Sequence, residues 1–375
     1  MLSLAEKIER NFHGSPLESI SSKVLRGERL TRADGIKLMM SNDLLAIGQL
    51  ADYVRKQKVG DRTYFINNAH INPTNICECL CSFCAFGKEE GHPEGYILSL
   101  EQVREKVIKA RKQNVSEIHI VGGLYSRLSL DYYIELLKTV KEEMPQVHIQ
   151  AFDAVEIEFM SRTARLSIEE TLLKLKDAGL GSLPGGGAEI FNSQVRQKIC
   201  PNKISGEKWL EVHRIAHNLG LRTNATMLYG HIESAEDRVD HLLKLRELQD
   251  ETGGFLTFIP LPFHPKNTKF SSLTGTTGYL DLKVLAIARL LLDNFDHIKA
   301  FWIMVTPKVA QISLAFGVDD LDGTVMEEKI VHDAGAETPQ YQPRKQFIDL
   351  IKEAGRIPVE RDTLYNVIKE GWEDE

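Results

Sequence analysis

Along residues 3–57, Leu and Ile recur at steps of three and four, the spacing of amphipathic helices, and Thr31-Arg-Ala-Asp34 supplies an N-cap signal. From Tyr64 the pattern changes to short apolar runs that alternate with longer segments of helical period. Strands are predicted over residues 69–75, 117–121, 147–152, 179–183, 222–229, 255–260, 297–304 and 319–321. Helices are predicted over 100–113, 130–143, 167–178, 207–219, 235–252, 280–293, 308–316 and 344–354. Strict alternation with short connections argues a parallel sheet, and eight repeats argue an α/β fold of the (β/α)8 TIM type, with an open doubly wound sheet as its rival. The expected organisation is an N-terminal helical layer over residues 1–60 packed on the barrel, the barrel over 61–355 and a C-terminal extension over 356–375.

The barrel is favoured by where the unusual residues fall. The cysteine-rich segment 77–84, Gly122-Gly123, residues 153–156, the run Pro184-Gly-Gly-Gly187, Gly230-His231 and residues 262–265 all follow strand ends. In a barrel those ends converge on one mouth, where active sites are built. Gly122-Gly123 would allow a close backbone approach. Asp153 and Glu156 read as loop carboxylates able to accept from ribose hydroxyls. On the fifth strand Asn224 and Thr226 share a face, with Tyr229 and His231 at its tip, and Asn72 and His264 are further polar groups near the mouth. His119 and His148, inside strands, read as satisfied core histidines. No G-x-S-x-G elbow or H-E-x-x-H pair supports hydrolysis, and the glycine run lacks the Lys-Ser/Thr of a P-loop.

With 375 residues, 42% hydrophobic and 26% charged, the chain can bury a barrel-sized core. No apolar run approaches the roughly 20 residues of a membrane span. The opening residues lack a signal-peptide pattern, so a cytoplasmic location is expected. A net charge of -7 gives no general attraction to nucleic acid.

Four of the five cysteines fall in one loop, at Cys77, Cys79, Cys81 and Cys84. Choosing Cys77, Cys81 and Cys84 gives C-x3-C-x2-C with Phe83 before the last, a spacing that resembles the signature of radical SAM enzymes. Three thiolates can ligate three irons of a 4Fe-4S cluster and leave the fourth iron open. Zinc held by all four thiols is the alternative, disfavoured because four ligands would be crowded into so short a loop. Cys79 is then a spectator thiol, and Cys200 a small buried side chain.

The stretch from Ile71 to Phe86 resembles the radical SAM subgroup that contains the menaquinone futalosine-pathway enzymes and the deazaflavin-cofactor synthases. Longer blocks, at 184–192, 198–201, 222–233, 248–255, 319–325 and 334–339, resemble the aminofutalosine synthase family. The resemblance implies a TIM-type barrel, one 4Fe-4S cluster on Cys77, Cys81 and Cys84, and S-adenosylmethionine as co-substrate held near Phe83, Gly122, Gly123, Asp153 and Glu156. It also implies a low-potential electron donor such as flavodoxin or ferredoxin, and addition of the 5'-deoxyadenosyl radical to the vinyl group of 3-[(1-carboxyvinyl)oxy]benzoate. Asn72, Asn224, Thr226, Tyr229, His231 and His264 are the candidates for binding this dicarboxylate. A dehypoxanthine futalosine cyclase, a deazaflavin-cofactor synthase-like enzyme and a noncatalytic metal-binding scaffold remain alternatives. The additional Cys79 is the main departure from the family pattern.

Overall fold

The computed structural model describes residues 3–372; the expected outer ends of the N-terminal layer and of the extension, residues 1–2 and 373–375, lie outside it. The strands are β1 Arg62–Ile66, β2 Asn68–Ile71, β3 Glu117–Ile120, β4 His148–Ala151, β5 Ser182–Leu183, β6 Arg222–Tyr229, β7 Phe255–Pro262, β8 His297–Ile298, β9 Asp320–Gly323, β10 Ile357–Arg361 and β11 Val367–Glu370. Strands β2 to β8 form one parallel sheet in chain order. The eighth strand-like segment does not join that sheet as a full strand. Residues 319–326 span the gap instead, bridging Lys299 to Asp320 on one side and Ala69 to Met326 on the other, so the TIM-type barrel closes through isolated bridges. The expected strand over 297–304 stops at Ile298, because the chain turns into the short helix Trp302–Val305.

A second sheet, in the order β11-β10-β1-β9, was not anticipated. β1 pairs in parallel with both β9 and β10 and leads through Asn67 into β2, so one continuous stretch of chain serves both sheets. The segment after β10 lies beneath the N-terminal ends of the barrel strands. Arg361 Nε donates to Asp320 Oδ2 (2.6 Å), Thr363 Oγ1 to Glu117 Oε2 (2.8 Å), and the Tyr365 ring stacks on His297 at 3.7 Å.

Alternation along the strands sets the two faces of the barrel wall. Ile118, Ile120, Ile149, Ala225, Met227, Phe258 and Ile298 are fully buried against the helical layer, each large side chain contributing about 1.5–3 kcal/mol. Local caps start the helices where the pattern predicts: Ser99 with Gln102, Ser167 with Glu170 and Ser234 with Asp237 form capping boxes. Helix Gly278–Leu291 is buried nearly all round, because helix Leu44–Val59 of the N-terminal layer covers its outer side. Among the described residues no helix is long and apolar enough to cross a membrane.

Candidate active site

The cysteine loop is pinned from both sides of the barrel mouth. Cys77 N–H donates to Lys88 O (2.9 Å) and Glu78 N–H to Leu124 O (2.8 Å), while Ser82 N–H donates to Ile199 O (2.8 Å) at the end of helix Ser193–Ile199. Gly123 makes the first side possible, since a Cβ there would lie 2.2 Å from the Ile76 carbonyl oxygen. The glycine-rich turn after β3 therefore touches the residue that precedes Cys77.

The four thiols are not equivalent. Cys77 and Cys84 are half-buried, whereas Cys79 and Cys81 are buried. The Cys79 thiol, with the backbone N–H groups of Leu124, Cys79 and Leu80, lowers Cys77 to about 5 against the opposing effect of burial. Burial raises Cys81 to about 12 and raises Cys84, whose sulfur accepts from Gly87 N–H at 3.4 Å. Cys79 is tied elsewhere as well: its Sγ donates to Asn202 O, and Asn202 Nδ2 donates back to Cys79 O, both at 3.3 Å.

One cation faces this group. Lys203 Nζ lies 2.7 Å from Glu189 Oε1 and 5.3 Å from the centre of the Phe83 ring, and its charge favours the thiolates of Cys81 and Cys84. Among the described residues no three Cys, His, Asp or Glu side chains gather as they would around a single metal ion. Three thiols spread along residues 77–84, N–H donors aimed at sulfur and a half-buried lysine fit a larger anionic iron–sulfur group.

The carboxylates after β4 require a correction: residues 153–156 are not an open loop. Asp153 is the N-cap of helix Ala154–Ala164, with Oδ1 accepting from the N–H groups of Val155 and Glu156, both at 2.9 Å. Glu156 completes the capping box and is buried. Its Oε2 accepts from Asp153 N–H (2.8 Å) and its Oε1 from Gly122 N–H (3.0 Å). Glu156 therefore braces the glycine turn against the helix start, and Asp153 Oδ2 is the carboxylate oxygen outside the cap bonds.

The polar candidates separate into two faces. Asn224 Nδ2 lies 3.4 Å from Gln150 Oε1, and Thr226 Oγ1 donates to Gly185 O (2.7 Å), so these two face the lumen side as expected. Gly185, at φ 83°, admits this approach; a Cβ there would sit 2.1 Å from Asn224 O. Tyr229 is three positions beyond Thr226 and points the other way, its hydroxyl donating to Asp281 Oδ1 (2.7 Å) in helix Gly278–Leu291. The tip placement of His231 holds, but its ring is occupied: Nδ1 accepts from Ile232 N–H (2.7 Å) and Nε2 donates to Leu228 O (3.2 Å). Asn72 Nδ2 donates to Val121 O (2.9 Å), and His264 Nε2 to Met304 O (3.0 Å). His148 is satisfied by Ser182 Oγ (2.8 Å), as expected of a core histidine, while His119 stays half-buried. Lys203 and Glu189 were missed as site residues, since nothing in their local pattern distinguishes them from a surface ion pair. Two surface hollows, of about 540 Å³ beside Trp372 and about 650 Å³ beside Asn192, contain none of the expected site residues.

Residues 71–245 match the family model of the Radical SAM superfamily, and residues 252–372 that of the CofH/MqnC C-terminal region. The aminodeoxyfutalosine synthase of Thermus thermophilus is 46% identical over 96% of this chain and 98% of its own length. The 5-amino-6-(D-ribitylamino)uracil--L-tyrosine 4-hydroxyphenyl transferase of Methanothermobacter thermautotrophicus is 41% identical over 92% and 95% respectively. Among solved structures, methylornithine synthase superposes with a TM-score of 0.72 at 18% identity, over 90% of this chain and 96% of that one, a likeness of fold. A cysteine loop at a barrel mouth, matched by identity along almost the whole chain, places the protein in the aminodeoxyfutalosine synthase family of the radical SAM superfamily.

Proposed function

We propose that the protein joins the 5'-deoxyadenosyl group of S-adenosylmethionine to the vinyl carbon of 3-[(1-carboxyvinyl)oxy]benzoate. One-electron cleavage of the sulfonium releases methionine, and after the radical addition aryl migration and loss of the enol carboxylate as carbon dioxide, with one electron returned, give aminofutalosine, a step of menaquinone biosynthesis. The observation that carries this reading is the 46% identity to an aminodeoxyfutalosine synthase along 98% of that protein. When bound on Cys77, Cys81 and Cys84, a 4Fe-4S cluster supplies the electron that cleaves the sulfonium, delivered by a donor such as flavodoxin or ferredoxin. The chain's own part is positioning. The free carbonyls of the Gly122-Gly123 turn and Asp153 Oδ2 are available to the methionine and ribose ends of the co-substrate. Phe83 offers a ring beside the loop, one face of which is taken by Lys203. Asn72, Asn224 and Thr226 are the side chains assigned to the lumen in which the aryl substrate would sit, from which water and stray hydrogen donors must be kept.

Transfer of a 4-hydroxyphenyl group from L-tyrosine is the second reading, supported by relatives of lower identity, such as the one at 41%. Anaerobic reconstitution with iron, sulfide and dithionite, followed by S-adenosylmethionine and the enol ether, separates these readings by mass spectrometry. An adenosylated, decarboxylated adduct is expected. Free 5'-deoxyadenosine without adduct overturns the synthase reading and favours a cyclase or transferase, and intact S-adenosylmethionine points to a noncatalytic scaffold.

A further inference from the structure

Below the cysteine loop the lumen carries polar side chains that none of the roles above uses. His70 on β2 and His119 on β3 are register partners, and their rings stack with centroids 4.5 Å apart. Lys299, next after β8, reaches Asp322 with Nζ 2.8 Å from Oδ1. That bond uses one of three ammonium donors. Burial, with the Lys299 charge adding to it, holds both imidazoles below the usual histidine range, against the opposing pull of Glu117, Asp322 and a Gln150 hydrogen bond at His119; a neutral imidazole carries one N–H, and that of His119 goes to Gln150.

Two further observations point to a ligand. Among the described residues His70 has no hydrogen-bond partner for either ring nitrogen; its neighbours are the stacked His119 ring and the Lys299 charge. His119 is steadied by Gln150. Both histidines are half-buried on paired strands of the barrel wall, as expected of groups lining an internal hollow. Toward the mouth, Ile259 and Leu261 on β7 are also half-buried, alternating with the fully buried Phe258, and offer an apolar wall.

The nearby carboxylates have partners of their own. Glu117 accepts from Asn68 Nδ2 (3.1 Å) and Thr363 Oγ1 (2.8 Å), and Asp320 pairs with Arg361 (2.6 Å). The remaining donors of Lys299 and the His70 N–H are therefore open to an incoming anion, with the His119 ring stacked beside His70, and bonds to a carboxylate are of the stronger, charge-assisted kind.

We propose that His70 and Lys299, with the His119 ring stacked against His70, form the seat for the ring carboxylate of an aryl dicarboxylate substrate. The assignment rests on the function proposed above and fixes the substrate's direction. The adenosyl carbon arrives from the mouth, so the vinyl end must face upward, and the benzoate carboxylate, across the ring, meets the deeper layer.

Calorimetric titration of the reconstituted holoenzyme, without reductant, tests this with two ligands: 3-[(1-carboxyvinyl)oxy]benzoate and (1-carboxyvinyl)oxybenzene, which lacks the ring carboxylate. His70→Phe and Lys299→Met are expected to weaken binding of the first roughly ten- to a hundred-fold. On the second ligand their effect should shrink to near unity, because the group they recognise is gone. His70→Gln, which keeps a donor, should recover most of the affinity. If a Phe or Met variant does not fold, His70→Ala and Lys299→Gln carry the same two-ligand comparison. Unchanged affinity for the dicarboxylate, or an equal loss on both ligands, overturns the seat. A wild-type enzyme that binds the dicarboxylate yet forms no adduct with S-adenosylmethionine under reduction overturns the functional reading instead.

Discussion

Replacing Gly123 by alanine should empty the cluster site without unfolding the barrel. The added Cβ would lie 2.2 Å from Ile76 O and 2.8 Å from its carbonyl carbon. Both are backbone atoms, so neither can rotate aside, and opening to an ordinary contact of about 3.5 Å requires the two segments to part by roughly 1 Å. Ile76 directly precedes Cys77, so the movement passes to the sulfur proposed as a cluster ligand, and the 2.8 Å bond from Gly123 N–H to Thr74 O stretches with it. Overpacking of this kind costs about 1–3 kcal/mol, within the roughly 5–15 kcal/mol of a typical folded domain. Gly122→Ala is the internal control: its Cβ would meet Thr74 O at 3.1 Å and Pro73 Cδ at 3.2 Å, relieved by a few tenths of an ångström. Iron and sulfide per chain after anaerobic reconstitution, with thermal denaturation alongside, read the two apart. Gly123→Ala should retain a cooperative melt but little iron, and Gly122→Ala most of its iron. Wild-type iron content in Gly123→Ala, or equal loss in both variants, refutes the steric argument.

Alanine at Cys77, Cys81 or Cys84 should abolish both iron binding and reductive cleavage of S-adenosylmethionine, while Cys79→Ala should retain both; full activity in any of the first three removes that residue as a ligand. Lys203→Met takes a positive charge from beside Cys81 and leaves Glu189 without its ion-pair partner. Its cluster should therefore reduce at a more negative potential in a spectroscopic redox titration, and an unshifted potential would place the lysine's charge outside the cluster's field. Arg361→Met breaks a buried ion pair and should cost about 3–5 kcal/mol in urea unfolding; a loss below about 1 kcal/mol would show that the pair is not anchoring the segment. In the wild type, burial raises the Asp320 carboxyl, but Arg361 and Lys299 together hold it below the ordinary 3.8. The pair's contribution is thus complete above pH 3.8 and lost as pH falls through the depressed value. Acid titrations of wild type and Arg361→Met should differ by that limb, and coincident profiles would contradict it.

The hydrophobic period located most of the barrel: β6 at 222–229 and the helices at 130–143 and 235–252 coincide with their expected bounds. Helix Ala154–Ala164 escaped because Asp153-Ala-Val-Glu156 was read as two ligand carboxylates. The same four residues spell a capping box, a local signal that was available. The second sheet was not legible, since β1 and β10 are distant in sequence and short apolar runs do not announce their partners. Tyr229 was read by position along its strand, whereas its odd spacing from Asn224 and Thr226 sends it to the opposite face. Whether a strand histidine is satisfied depends on which side chain the neighbouring strand sets beside it. His148, bonded to Ser182, and His70, whose ring nitrogens have no hydrogen-bond partner among the described residues, are both half-buried strand histidines that look alike in sequence and differ only in the folded chain.

The segment after β10, with Arg361, Thr363 and Tyr365 set against the strand bases, leaves the lumen open at one end. A vessel with a single opening imposes an order on its traffic. On the proposed reading, with the cysteine loop at the rim and the aryl acid's proposed seat at depth, the aryl acid enters first and S-adenosylmethionine second, and methionine leaves before the larger nucleoside adduct. Steady-state kinetics should accordingly follow a compulsory sequence, in which excess S-adenosylmethionine slows turnover by occupying the rim of an empty barrel.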